Sequence, residues 1–142
     1  MTQEDKELLL KDLCARLPYN VRVEYNGTTF TNIFDVLGIA HGRIVLCLPF
    51  MSKTECPLIE EVKPYLFPLS SMAEEQQEEF DRIYADDMQV VASNLKNRLD
   101  GKPYETNLGH YRHIDWLNAN HFDYRGLIPK GLAIDATGLN IY

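Results

Sequence analysis

The 142-residue chain predicts an α+β fold: an N-terminal helix, a small antiparallel sheet of three to four strands, then two or more C-terminal helices. Three observations carry this. The apolar spacing switches from helical to alternating at Pro18. An Asn26-Gly27 pair then separates two β-rich runs. Finally, Phe80, Ile83, Tyr84, Met88, Val91, Leu95 and Leu99 recur at threes and fours along a stretch that opens with acids. The length suits a single domain over 1–142 with one sizeable core.

The first element, about 3–17, is a helix from Gln3 to Arg16, with Leu9, Leu10, Leu13 and Leu17 as its apolar stripe. Thr2 and Asp5 have capping-box spacing. Glu4, Asp5 and Glu7 lie early and Arg16 lies late, which suits the helix dipole.

Residues 20–67 form the sheet and a Pro-bracketed strap. Val21, Val23 and Tyr25 alternate with Arg22 and Glu24, the pattern of a half-buried strand. Asn26-Gly27 predicts a tight type I′ turn, with Thr28 to Phe34 returning. Gly38 marks a bulge and His41-Gly42 the next turn. Arg43 to Leu48 is nearly continuous in apolar residues and reads as a central strand covered on both faces. Pro57 to Val62 reads as a fourth short strand or a single helical turn. Pro64 and Pro68 hold Tyr65-Leu66-Phe67 extended. Strands this close in sequence and this twisted are able to curl into a barrel-like sheet.

The long helix spans 72–99, opened by a capping box from Ser71 to Glu74 and stopped by Asp100-Gly101. Asp86-Asp87 is the place where a break is expected, if there is one. In 110–142, Tyr111, Ile114, Trp116 and Leu117 mark a closing helix ending near Asn120. A turn follows at Asp123 to Gly126, where an internal Asp123–Arg125 pair is expected, and then a mobile tail.

Net charge is −7, from 14 basic and 21 acidic residues, which disfavours broad contact with nucleic-acid phosphates or anionic lipid. No apolar run reaches the roughly 18 residues of a membrane span. The start, Met1-Thr2-Gln3-Glu4-Asp5, lacks the features of a secretory signal or a myristoylation site. Cys14, Cys47 and Cys56 show no CxxC spacing, and their odd number fits a reducing compartment. Cys14 and Cys47 are expected as small core side chains. A cytoplasmic location is the expectation.

Candidate chemistry is sparse. His110 and His113 are three apart, with Asp115, His121 and Asp123 close by, so a metal site is conceivable. The spacing matches neither HExxH nor a zinc finger, and solvated or capping histidines are the better reading, so no metal ligand is assigned. Ser70, Ser71 and Ser93 read as cap and helix-surface residues, because GxSxG is missing. Cys56 is the most loop-like thiol, and no catalytic residue is assigned. Neither GxxxxGK[ST] nor GxGxxG occurs, so no cofactor is expected. Glu74, Glu75, Glu78, Glu79, Asp81, Asp86 and Asp87 face one base, Arg82, and read as a solvated helix face, with mimicry of nucleic-acid charge as the sharper alternative. Tyr65, Phe67, Trp116, Phe122 and Tyr124 are expected mainly in the core.

Three stretches together carry a resemblance: Glu4 to Tyr19 (EDKELLLKDLCARLPY), Glu61 to Met72 (EVKPYLFPLSSM) and Ile114 to Thr137 (IDWLNANHFDYRGLIPKGLAIDAT). They resemble a set of small uncharacterised proteins of gut Bacteroides genomes and their phages and mobile elements. The resemblance covers a little under half of the chain and omits Ala73 to Gly109. It implies a bacterial or phage cytoplasmic origin and an accessory role, and it brings no activity with it.

Three classes of function stay open. The leading one is a non-catalytic protein-interaction or accessory protein of a phage or mobile element, with an unidentified protein partner. The others are a nucleic-acid-binding regulator that gathers Arg22, Lys53, Lys63, Arg112, Arg125 and Lys130, and a small enzyme without a recognisable motif.

Overall fold

The structure, a computed structural model, describes residues 1–27, 32–48, 52–102 and 111–142. Two compact units make up the described chain: Met1–Ser71 with Asn118–Tyr142, and Met72–Leu117.

In the first unit, helix α1 spans Gln3–Arg16. The expected capping box forms: Thr2 Oγ1 accepts from the Asp5 amide at 3.1 Å, and Asp5 accepts from the Thr2 amide at 3.2 Å. These bonds hold the Asp5 carboxyl below its usual range. Leu9 and Leu13 are fully buried, and so are Asp12 and Arg16. The inward face of α1 is therefore half apolar and half ionic.

Six strands form one mixed sheet: β1 (Arg22–Tyr25), β2 (Ile33–Ala40), β3 (Arg43–Cys47), β4 (Thr54–Glu55), β5 (Val62–Leu66) and β6 (Ile134–Asp135). The order is β4-β3-β2-β1-β5-β6, antiparallel throughout except for the parallel pair β5–β6. The strand number exceeds the expected three to four, and the sheet is open rather than closed into a barrel. Its edges, β4 and β6, are two residues long each, too short to meet and close it.

The first hairpin departs from expectation. Val23 pairs with Phe34 and Glu24 with Ile33, so the return strand begins at Ile33 and the turn at Asn26-Gly27 is not the tight two-residue kind. Gly27 also lacks the positive φ that a type I′ turn demands. The register follows burial: Val23 and Phe34 are both fully enclosed, and the Tyr25 ring meets Phe34 edge-on at 5.6 Å. Residues 28–31 lie outside the described residues. The second hairpin is as expected. His41 and Gly42 have φ of 50° and 75° between the paired Ala40 and Arg43, and the register shifts between Val36 and Gly38.

Strand β3 is internal but is not covered on both faces. Ile44 and Leu46 are buried while Val45 and Cys47 are half-exposed, so a nearly continuous apolar run still alternates. Pro57 to Val62 resolves as a single 3₁₀ turn, Ile59–Glu61, whose entry is held by the Leu58 amide on Glu61 Oε2 at 2.7 Å. Pro64 sits inside β5, where β6 has not yet begun to pair, so its missing N–H costs no ladder bond on that side.

Alternation in the strands gives the sheet two lined faces. One holds Val23, Phe34, Val36, Ile44, Leu46, Val62 and Leu66 against Leu9 and Leu13 of α1. The other holds Tyr65 with Ala136 and Ile141. The segment expected as a mobile tail is thus packed, because it supplies β6 and two of these apolar plugs.

In the second unit, α2 spans Glu74–Leu99 as 26 residues without a break at Asp86-Asp87. The capping box at Ser71 does not form. Ser71 lies in a 3₁₀ turn, Leu69–Ser71, and its hydroxyl donates to the Pro68 carbonyl at 2.7 Å. Gln76 instead accepts from the Ala73 amide at 2.9 Å, which moves the start inward. Helix α3 spans Arg112–Ala119, close to the expected closing helix. Among the described residues no helix is long and apolar enough to cross a membrane.

The buried Asp12–Arg16 pair gives a stability prediction. Asp12→Ala leaves a guanidinium unpaired in the core and should cost about 3–5 kcal/mol. Replacing both residues with apolar ones of similar volume should recover most of that loss. Chemical denaturation midpoints check this, and an Asp12→Ala variant within about 1 kcal/mol of the parent would refute it.

Candidate functional site

The second unit is organised around one carboxylate. Asp87 lies on α2 one turn beyond Tyr84 and two beyond Phe80, on the face turned to α3. It is buried, and its Oδ2 lies 2.6 Å from His113 Nδ1 while also accepting from the His113 amide at 2.9 Å. Its Oδ1 accepts from Arg112 Nε at 3.3 Å. Burial pushes the Asp87 carboxyl upward, but the amide, the imidazole and the guanidinium together outweigh it and hold the group below its usual range. The carboxylate accepts the proton on Nδ1, so that in the neutral form of the ring the lone pair lies on Nε2. Tyr84 and Tyr111 ring centroids stand 5.1 and 5.4 Å from the imidazole, and Phe80 bridges to Trp116 at 5.7 Å.

Along one flank of the same helix, apolar residues face outward. Tyr84 is 46% exposed, Leu95 57% and Leu99 79%. Met88 is half-buried and Ala92 exposed between them. The positions 84, 88, 92, 95 and 99 advance by four, four, three and four, so they form one continuous strip. By contrast, Leu37, Leu58 and Leu69 are exposed singly, which is ordinary for a protein surface.

The first unit has its own polar centre. Asp12 accepts from Arg16 Nε at 2.7 Å and Nη2 at 3.0 Å, and from Arg125 Nη1 at 3.0 Å. Arg16 Nη2 also donates to the Phe122 carbonyl at 2.7 Å, and Arg125 lies over the Tyr124 ring. His121 stacks on Tyr142 at 3.6 Å with the rings within 8° of parallel. Burial, then the charges of Arg16 and Arg22, lower the His121 imidazole to about 4. The Tyr142 hydroxyl donates to the Tyr65 carbonyl and accepts from the Arg22 amide. Enclosure raises it to about 12. Arg22 also donates to the Ile141 carbonyl and pairs with Asp35 at 3.0 Å.

The sequence candidates find the following places. His110 lies outside the described residues. His113 is engaged by Asp87 and His121 by Tyr142, while Asp123 accepts from the Leu127 and Ile128 amides at 2.8 Å each. No group of three His, Cys, Asp or Glu among the described residues has metal-holding geometry. The expected Asp123–Arg125 pair does not form: Asp123 caps the following turn, and Arg125 reaches Asp12 instead. Cys14 is exposed rather than in the core, Cys47 is intermediate, and Cys56 is exposed; none of the three is in a disulfide among the described residues. Of the six acids that precede Asp87 in the acidic run, all are exposed. Arg22, Lys53, Arg112, Arg125 and Lys130 each pair with a carboxylate. Lys63 lines an open groove with Glu24, Glu60 and Glu61. Sequence reasoning passed over Asp87 by grouping it with its solvated neighbours. The signal was its place on the apolar stripe, seven after Phe80 and four before Val91.

No protein-family model, curated protein or solved structure matches the chain.

Two predictions follow from these geometries. Nitrogen NMR of His113 should show the Nδ1–H tautomer in the neutral ring, and Asp87→Asn should abolish that preference. An unchanged tautomer ratio in the variant would remove Asp87 from this role. His121 is neutral when folded, whereas the unfolded chain protonates it below its ordinary 6.5. Its stability contribution is therefore intact above 6.5 and is lost as pH falls toward 4. The parent should lose up to about 1.4 kcal/mol per pH unit in that window relative to His121→Phe. Parallel denaturation curves at every pH would contradict it.

Proposed function

We propose that the chain is a non-catalytic protein-interaction or accessory factor of a phage or mobile element, acting in the bacterial cytoplasm through the outward strip of α2. One observation carries the reading: Tyr84, Leu95 and Leu99 align on one flank with Met88 and Ala92 between them. An aligned apolar strip in water is costly to maintain, and its usual purpose is to be covered by another protein surface. The resemblance to small proteins of mobile elements supports the accessory role. The acids of the helix start, all exposed before Asp87, supply a polar rim that keeps the strip soluble.

The small-enzyme alternative draws support from the Asp87–His113 pair, since a carboxylate-oriented imidazole is one component of general base chemistry. Among the described residues, however, its neighbours are aromatic rings rather than a nucleophile. The nucleic-acid alternative has less support, because most of its candidate cations are occupied by carboxylates.

A photo-crosslinking residue placed at Leu95, in the chain expressed in bacterial cells, tests the reading. It should yield a discrete protein adduct, whereas the same probe at exposed Glu79 should yield none. Equal or absent labelling at both positions would overturn it.

A further inference from the structure

We propose that the end of the β1–β5 ladder carries a recognition slot for a neutral phenol, which the chain fills with its own Tyr142. The inference is independent of the α2 strip and goes beyond the interaction reading. It begins with the hydrogen bonds of the sheet. The Tyr25 amide donates to the Asn32 carbonyl at 2.8 Å, and the Val36 amide to the Val21 carbonyl at 3.1 Å. Alternate residues Val21, Val23 and Tyr25 thus turn their backbone groups toward β2, so Arg22 and Glu24 turn theirs toward β5. Glu24 pairs with Lys63 and Val23 with Pro64, which makes Arg22 and Tyr65 the next pair in register. There a side chain stands in the ladder. The Tyr142 hydroxyl accepts from the Arg22 amide at 3.1 Å and donates to the Tyr65 carbonyl at 2.8 Å.

The ring that carries this hydroxyl is held as closely. His121 stacks on it at 3.6 Å within 8° of parallel, and the Phe67 centroid stands 6.0 Å away. Arg22 also donates to the Ile141 carbonyl, which fixes the backbone beside the ring. Tyr142 as a whole is 44% exposed, so its enclosed hydroxyl is the inner end of a residue that reaches the surface. The slot is therefore reachable once that ring leaves.

The chemistry of the slot is selective. Its occupant must accept from an N–H and donate to a C=O through one atom. A carboxylate has no proton to give, and an ammonium has no lone pair to offer. A plain aromatic ring leaves the Arg22 amide and the Tyr65 carbonyl unpaired. An aliphatic alcohol satisfies both but presents no face to His121. A phenol meets every requirement, and burial, which raises the Tyr142 hydroxyl to about 12, keeps its proton in place across the neutral range.

The test replaces the internal phenol with a free one. In the full chain carrying Tyr142→Ala, p-cresol should bind saturably and shift the Arg22 amide and His121 ring resonances. It should also slow hydrogen exchange of the Arg22 amide back toward the parental rate. Toluene, the same ring without the hydroxyl, should bind at least about tenfold more weakly. The parent, whose slot is filled, should show no shift at Arg22 with the same p-cresol concentrations. Tyr142→Phe keeps the ring alone, and it should speed Arg22 exchange about tenfold with circular dichroism unchanged. Equal affinity for p-cresol and toluene overturns the proposal, because only an apolar ring is then recognised. Parental Arg22 exchange in Tyr142→Phe overturns it too. So does a Tyr142→Ala chain that binds neither compound or stays unfolded with p-cresol present. Matching shifts in the parent and the variant also overturn it, since the ligand then sits elsewhere.

Discussion

A fully buried carboxylate, Asp12, ties the first unit together. Its oxygens take two bonds from Arg16 on the next turn of α1 and one from Arg125, more than a hundred residues away. Arg16 in turn donates to the Phe122 carbonyl. The helix at one end of the chain is thereby fastened to the turns at the other. Two charges in a dry interior are costly unless each is matched, so every partner here is needed by the others. An apolar pair of similar volume would recover most of the stability that breaking the pair costs. The ionic pair adds direction, since a guanidinium accepts only a few arrangements of carboxylate and carbonyl around it.

The sheet is completed by the same distant segment. Strands β1 to β4 are neighbours in sequence, but β5 adds to β1 and β6 adds to β5 from the far end of the chain. Ile141, Ala136 and the stacked His121–Tyr142 pair cover the face that α1 leaves free. A neutral imidazole beside two arginines is the consequence, because a third positive charge in that enclosure would be opposed by burial and repulsion alike.

The second unit repeats the device at smaller scale. Asp87 collects the backbone and ring of His113 and the side chain of Arg112, and so sets α3 against α2. That contact occupies one face of a long helix and leaves the adjacent flank apolar and outward. The carboxylate fixes the packing of α3 on α2, and the strip lies on the flank beside it.

Much of the local structure was legible in residue spacing. The limits and capping of α1, the His41-Gly42 turn, the bulge at Gly38 and the extended Tyr65-Leu66-Phe67 follow from short-range chemistry: side-chain bonds to nearby amides, tolerance of positive φ, and the clash that proline imposes on its predecessor. The apolar stripe of α2 was equally plain. What depended on partners far along the chain was not. Arg16 read only as a charge suited to the helix dipole, and nothing marked Asp12, until Arg125 and the Phe122 carbonyl met them. Asp87 read as one acid among seven until α3 arrived. The Asn26-Gly27 signal lost to the burial of Val23 against Phe34, because a register that fills the core outweighs the preference of one turn. Local propensity acts over a few residues and sets where elements start and stop. Which of their polar groups lose water is settled when distant elements pack, and a buried charge is recognisable only once its partner is beside it.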